Sequence, residues 1–233
     1  MTSEKGDEAG ERTTNRRGRR SREEILEIAS RVMAERGYAA SSLSVLSRES
    51  GLPKSAIYHH FQSKSGLLSA VMSRGAYDFF EAMRVAHAGG PPGTAPGERM
   101  RWYLTRVGDV FRAQPDFLRL HLTLIMSTEA TEAEAEVAAM IEQVRRDGRA
   151  YMNQMIAGAF APAGAEAAQR VADELDYFGI AGFDGAFVAW QADPRRDLTA
   201  QMTILAEAVV ALGEARLAVS PAAGRSRARQ PRP

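Results

Sequence analysis

The stretch from Ser42 to Phe61, SLSVLSRESGLPKSAIYHHF, reads as two short helices joined by a tight turn at Gly51. Leu43, Leu46, Leu52, Ile57 and Phe61 fall where two such helices share a core, which leaves Lys54, Ser55, Tyr58 and His59 facing outward. Gly51 stands where the first helix must stop and reverse, because a residue without Cβ enters the left-handed conformation at little cost. Pro53 fits near the first turn of the second helix, where its missing N–H loses nothing. The outward residues offer a cation, hydroxyls and an imidazole, which are groups that bond phosphates and base edges. The spacing therefore predicts a helix-turn-helix whose second helix, about residues 54–61, presents its N-terminal end to the major groove. An αα-hairpin with a purely structural role has the same spacing, so the flanks have to discriminate.

Upstream, Ser21 and Glu24 have the three-residue separation of a capping box, in which each side chain satisfies a free backbone N–H at a helix start. The helix they open carries Ile25, Ile28, Ala29, Val32 and Met33 on one stripe and is expected to end at Gly37. Residues 38–41 then lead to Ser42, a good N-cap. Downstream, Gln62, Ser63 and Lys64 start a fourth helix with Ser63 as its cap, and Leu67, Leu68, Val71 and Met72 continue the apolar face.

With these flanks the chain closely resembles the N-terminal domain of TetR-family (tetracycline-repressor-like) transcriptional regulators. The resemblance rests on Gly37-Tyr38, Ser42-Leu43, Arg48-Glu49-Ser50-Gly51-Leu52, Lys54, Ile57-Tyr58-His59-His60-Phe61 and Ser63-Lys64, and covers about residues 25–71. In that family the positions matching Ser42, Lys54, Tyr58, His59 and Lys64 commonly touch DNA, so the resemblance implies those roles here. Two positions depart from the family pattern: Pro53 stands where a Ser or Thr cap is frequent, and Ala56 where a hydroxyl residue is frequent. Ala56 gives up a hydrogen bond and offers a methyl that can pack on a thymine.

Charge is divided unevenly along the chain. The formal net charge is only +1, yet residues 12–64 hold eleven Lys or Arg against five Asp or Glu, while residues 65–215 hold thirteen against twenty. A basic head on an acidic body suits a protein whose one part binds a polyanion by counterion release. Residues 1–20 lack apolar periodicity and are expected to form a disordered basic arm. Arg19 and Arg20, with Arg16 and Arg17, stand just before the first helix, where an arm can follow the backbone or enter the minor groove; a solubilising tail has the same composition. Residues 219–233 carry Arg225, Arg227, Arg229 and Arg232 in a Pro/Ala/Gly-rich setting and are read as a second disordered basic tail.

The chain has 233 residues, enough for a small head and a larger second domain. It has no cysteine, which removes disulfides, thiolate zinc sites and cysteine catalysis. No apolar run approaches a membrane span and no signal-peptide core is present, so a soluble cytoplasmic, nucleoid-associated protein is expected. No phosphate-binding glycine loop, H-E-x-x-H pair or nucleophile elbow occurs, and neither a metal nor a cofactor is expected. Glu132, Glu134 and Glu136 form a carboxylate cluster that reads as a solvated helix start.

Beyond the head every periodic segment is helical: the fourth helix to about residue 87, then about 98–114, 115–127, 131–160, 165–191 and 198–217, with 88–97 as a loop. The fold class expected is all-α with about nine helices, the usual number in the resembled family. The domains are drawn as a head at 21–72, which includes the start of helix 4, and an effector-binding and dimerisation domain at 73–218. The last two helices carry more apolar surface than one contact needs. The resemblance implies that they meet their copies in a four-helix dimer interface, for which Leu175, Gly179, Gly182, Leu205, Val209 and Leu212 are the candidates. The glycines there each cost about 1 kcal/mol relative to Ala, which close backbone approach would offset. The resemblance also implies an effector pocket among the middle helices. Tyr103, Phe111, His121, Met126, Tyr151, Met155, Phe183 and Phe187 are its candidate lining, suited to an apolar or aromatic molecule with one or two polar handles.

These features point to a homodimeric repressor that binds a double-stranded, palindromic operator and releases it when a small molecule occupies the core. The alternatives are a ligand-independent DNA-binding activator or architectural protein, and a helical small-molecule enzyme or carrier with an incidental basic head.

Overall fold

Ile25, Leu26, Ala29, Val32 and Met33 recur at helical spacing and are all buried, and they anchor the first helix of the computed structural model, which describes residues 5–127 and 135–219. That helix, α1 (Lys5–Ala40), begins well before the Ser21–Glu24 capping box expected to open it. Once the apolar stripe nucleates the helix, propagation needs only one bond per residue, and residues 5–20 supply Glu, Arg and Ala with no proline to stop it. A helix thus stands over 5–20 where a disordered arm is expected. At the other end Gly37, at φ 79° and ψ 160°, breaks the helical path, as expected, and residues 38–40 form a separate turn.

Two short helices follow, α2 (Leu43–Ser50) and α3 (Lys54–Phe61), and then a long one, α4 (Lys64–Ala86). After the loop come α5 (Pro96–Ala113) and α6 (Pro115–Met126), the latter with proline in its first turn. The second half holds α7 (Ala135–Phe160), a 3-10 turn (Ala161–Ala163), α8 (Ala165–Ala192) and α9 (Leu198–Val219). Among the described residues every regular element is helical, so the fold is all-α. Glu132 and Glu134, the start expected for α7 at 131, and the basic tail from 220 onward lie outside the described residues.

The chain divides into two compact units, and the division does not fall at residue 72. The first unit joins Met1–Ala88 with Asp109–Asp147, and the second joins Gly89–Gly108 with Gly148–Pro233. Tertiary packing accounts for the first grouping, because α6 lies along α1 and α4. The Phe117 ring sits against Gly75 of α4, where a Cβ would lie 2.6 Å from the ring, and the Gln114 side chain donates to the Asp78 carbonyl at 3.2 Å. Phe79 packs on Phe117 and Phe111 at centroid distances of 5.5 and 6.2 Å.

Within the second unit α8 and α9 run antiparallel, with Arg216 bonded to Glu174 at one end and Leu205 packed under Gly182 further along. α8 is continuous through its glycines. The C-terminal half of α7 packs on α8: Met152 and Ile156 fill the space beside Gly179, and Arg149 and Asn153 bond the buried Asp176 at 3.0 and 3.3 Å. Asp176 is a satisfied buried carboxylate rather than an orphan, so it acts in packing.

Candidate nucleic-acid interface

Ser42 adopts an extended backbone and its Oγ accepts the Val45 N–H at 3.3 Å, which makes it the N-cap of α2. Gly51 is left-handed at φ 68° and ψ 2°, and the turn after it is tied back by Ser47, whose hydroxyl donates to the Leu52 carbonyl at 2.7 Å. Pro53 takes the N-cap of α3 at φ −65° with no side-chain cap. The ring fixes the entry angle but leaves the first N–H groups of α3 without a side-chain acceptor, open to an anion.

Ile57 and Phe61 are buried, and the opposite face of α3 shows Lys54, Ser55, Tyr58 and His59 to solvent, with Ala56 half-buried. Tyr58 is 53% exposed, so its ring and hydroxyl are both presented on this face. Arg19 and Arg20 are exposed on α1. His60, behind this face, is held below the ordinary histidine range by partial burial first, then by His59 and Arg22. Lys64, at the start of α4, differs from the other candidates: its ammonium donates to the Ala39 carbonyl at 3.2 Å and lies 4.1 Å from the Tyr38 ring centroid.

Several residues outside the candidate set shape this surface. Arg36 bonds Glu49 at 2.8 Å and ties the end of α1 to α2. Arg22 lies over the Phe61 ring at 5.2 Å. Gly66 leaves no room for a Cβ against the Phe61 carbonyl, while its N–H donates to the Ser63 cap at 2.9 Å. The signal for Gly66 was available as a glycine one turn into a capped helix.

The candidate pocket residues divide between the units. Phe111 and His121 are buried in the first; Met155, Phe183 and Phe187 are buried in the second, with Tyr103 and Tyr151 half-buried there. Met126 does not belong with them: at 83% exposure in the last turn of α6 it faces solvent, because the apolar stripe of that helix runs through Phe117, Leu120, His121 and Leu124 instead. His121 is the unusual member. Its ring stacks on Phe117, its Nδ1 is buried without a hydrogen-bond partner, and burial, with Arg145 adding to it, lowers its pKa to about 4. The imidazole is therefore neutral near pH 7, able to accept or donate one bond.

Most of the candidate dimer residues are covered by the chain itself. Leu175, Gly179, Leu205 and Val209 are buried inside the chain's own packing, Gly182 is filled by Leu205, and Leu212 is half-buried. A stripe of the periodic set packs within the chain because each helix has to cover its own core first. The apolar surface left over on α8 is Phe178, Ala181, Gly185 and Val188, spaced three and four residues apart, and on α9 it centres on Ile204, which is 64% exposed. Gly185 has open space beyond its Cα.

Residues 25–71 match the family model described as bacterial regulatory proteins, tetR family. This chain is 33% identical over 60 residues to the HTH-type transcriptional regulator AcrR of Shigella flexneri, which covers 26% of this chain and 28% of that protein. It is 41% identical over 63 residues to the HTH-type transcriptional repressor AcnR of Corynebacterium glutamicum, covering 27% of this chain and 31% of that protein. The chain thus aligns with less than a third of the length of either relative. In fold the likeness extends further: the fatty acid degradation regulator FadR from Bacillus halodurans superposes with a TM-score of 0.60 at 18% identity, over 81% of this chain and 94% of that one.

Proposed function

We propose that this chain, whose residues 25–71 match the family model of bacterial regulatory proteins, tetR family, is a homodimeric repressor that binds a palindromic operator and leaves it when a small effector occupies its helical core. The observation that carries the reading is the two-sidedness of α3: Ile57 and Phe61 are buried while Lys54, Ser55, Tyr58 and His59 are exposed on one face. A helix with that division enters a major groove with its N-terminal residues on base edges and its cations on phosphates. The basic excess of residues 12–64 supplies the salt-dependent part of binding.

Dimerisation is assigned to the surplus apolar stripe, Phe178, Ala181, Gly185 and Val188 of α8 with Ile204 of α9, since unpartnered large apolar side chains in a row mark an interface. A two-fold dimer then presents two copies of α3 to a pair of inverted half-sites. The effector is assigned to the helical core, with the orphaned, neutral imidazole of His121 as its polar handle, and should be a mainly apolar or aromatic molecule with a hydrogen-bonding group. It can release DNA only by binding one state of the dimer better than the other. A location with DNA in the cytoplasm belongs to the same reading; no described helix is long and apolar enough to cross a membrane.

The experiment is selection of bound duplexes from a random DNA pool at near-physiological salt with the full chain. Enrichment of an inverted repeat is expected, and that duplex then serves to screen small molecules for release. Absence of any enriched sequence would overturn the reading.

A further inference from the structure

The chain passes between its two compact units three times: between Ala88 and Gly89, between Gly108 and Asp109 inside α5, and between Asp147 and Gly148 inside α7. A glycine stands at every crossing. The first lies in a loop, where Gly89 and Gly90 are left-handed at φ 88° and 72°, so backbone conformation accounts for glycine there. The other two lie inside helices of 18 and 26 residues, where glycine is among the least favourable choices.

Packing does not account for these two. A Cβ on Gly108 would lie 3.5 Å from Met202 Cγ and 3.8 Å from Leu198 Cγ, which is ordinary van der Waals contact. A Cβ on Gly148 would meet the terminal methyl of Ile180 at 3.2 Å, a group that can move by a few tenths of an ångström. Other glycines of the long helices are demanded by a neighbour: a Cβ on Gly158 would collide with the Tyr103 hydroxyl, on Gly179 with Met152, on Gly182 with Leu205 and on Gly213 with Phe160. Gly185 has room as well, but it belongs to the outward stripe of α8 and not to a crossing. What remains for Gly108 and Gly148 is mechanical. A helix bends most readily where it has no side chain to restrict its backbone.

We infer that Gly108 and Gly148 are the flexure points of a hinge. α5 and α7 bend there while the loop at Gly89 and Gly90 follows, and the unit with α1 to α4 and α6 turns as one body because α6 lies along α1 and α4. The hinge is read from the chain itself, whereas its part in binding and leaving DNA rests on the operator-binding reading above. Heads that turn can fit more than one half-site spacing, and an effector that favours one setting of the hinge shifts the equilibrium.

The test compares Gly108→Ala, Gly148→Ala and the double variant with the unsubstituted full chain. Alanine has space at both sites and is the better helix former, so thermal midpoints should hold or rise. A lower midpoint in either single variant would show that packing demands the glycine and would overturn the inference. On DNA-free protein, amide hydrogen exchange should be about tenfold faster at 105–111 and 145–151 than at 100–104 and 152–156, although Val107, Val110 and Val144 are buried. Each single alanine should slow both fast segments by about fivefold, because the two helices bend together. Uniform protection along α5 and α7, or slowing confined to the substituted helix, overturns the hinge. The second arm measures affinity for the duplex enriched from the random pool and for the same duplex with one base pair added between its half-sites. The added pair should cost the unsubstituted protein at most about tenfold and the double variant at least about 100-fold; equal losses overturn the hinge's role on DNA. If no duplex is enriched, the operator reading fails by itself, and the exchange arm still decides whether the hinge exists.

Discussion

The head and the α8–α9 pair are both built from helices, but they are held in opposite ways. α2 and α3 have eight residues each, too few to persist on their own helical bonds, and they depend on caps, turns and a few buried side chains. α8 and α9 have 28 and 22 residues, need no special ends, and carry apolar residues on more than one face. In the head a single residue type at a single position decides the geometry. In the helix pair geometry is decided by which of several apolar stripes is used first. The head therefore tolerates little change at its turns, while the pair tolerates change within its own core and, on the proposed reading, is sensitive along the apolar stripe that this core leaves uncovered.

The largest effect is expected from a substitution that separates these two regimes. Gly185→Arg on α8 meets open space within the protomer and replaces a poor helix former, so the folded chain should keep its thermal stability. On the surplus stripe it would bury a charge between copies. Sedimentation should show monomers, and operator affinity should fall by at least about 100-fold because one half-site contact is lost. A dimer that survives would remove α8's exposed stripe from the interface.

Next in size is the pH response of His121. Its folded pKa of about 4 lies below the ordinary 6.5, so the unfolded chain binds the proton more readily. Stability present above pH 6.5 is therefore lost as pH falls toward 4, on the order of 3 kcal/mol for the full interval. Denaturant midpoints at pH 7 and pH 5 should differ less in His121→Leu than in the unsubstituted protein. The same variant removes the orphaned Nδ1 and should be no less stable at pH 7, while losing response to an effector that bonds the imidazole. An equal pH slope in both proteins would assign the acid sensitivity elsewhere.

In the head, Lys54→Ala removes an exposed cation at the start of α3 and should weaken operator binding by roughly tenfold while lowering the salt slope by about one. Tyr58→Phe keeps the ring and loses the hydroxyl, and a smaller loss of operator affinity is expected in the same titration, with the dimer intact. The smallest effect is on stability: Ser42→Ala deletes the acceptor for the Val45 N–H and should cost about 1 kcal/mol in a denaturant titration. A cost near zero would mean that the α1–α2 turn, rather than the cap, holds α2 in place.

Much of the head is legible because its determinants are local. Ser42, Gly51, Pro53 and Ser63 each act on a backbone within three residues, and each stands in the structure where its chemistry requires. The helix start expected at Ser21 differs from the structure for the complementary reason. A capping box states that a helix can begin there, whereas the absence of a stop signal from Lys5 onward decides that it does not. The Lys64–Tyr38 contact spans the hairpin and has no periodicity to reveal it. Residue type alone points Met126 inward, while its register on α6 puts it a step past the stripe that Phe117, His121 and Leu124 define.

The sequence by itself determined the helices, the cap chemistry and the outward set on α3, because hydrogen bonding within a turn and the 3.6-residue period are properties of neighbouring residues. Only the tertiary structure decided which apolar stripe of α8 and α9 is used within the chain's own core, that Asp176 is buried with Arg149 and Asn153 beside it, and that His121 Nδ1 is left unpaired. Those outcomes depend on which surfaces meet first when long helices with several usable faces compete for one core, and the energy of that competition is shared among residues far apart in the chain.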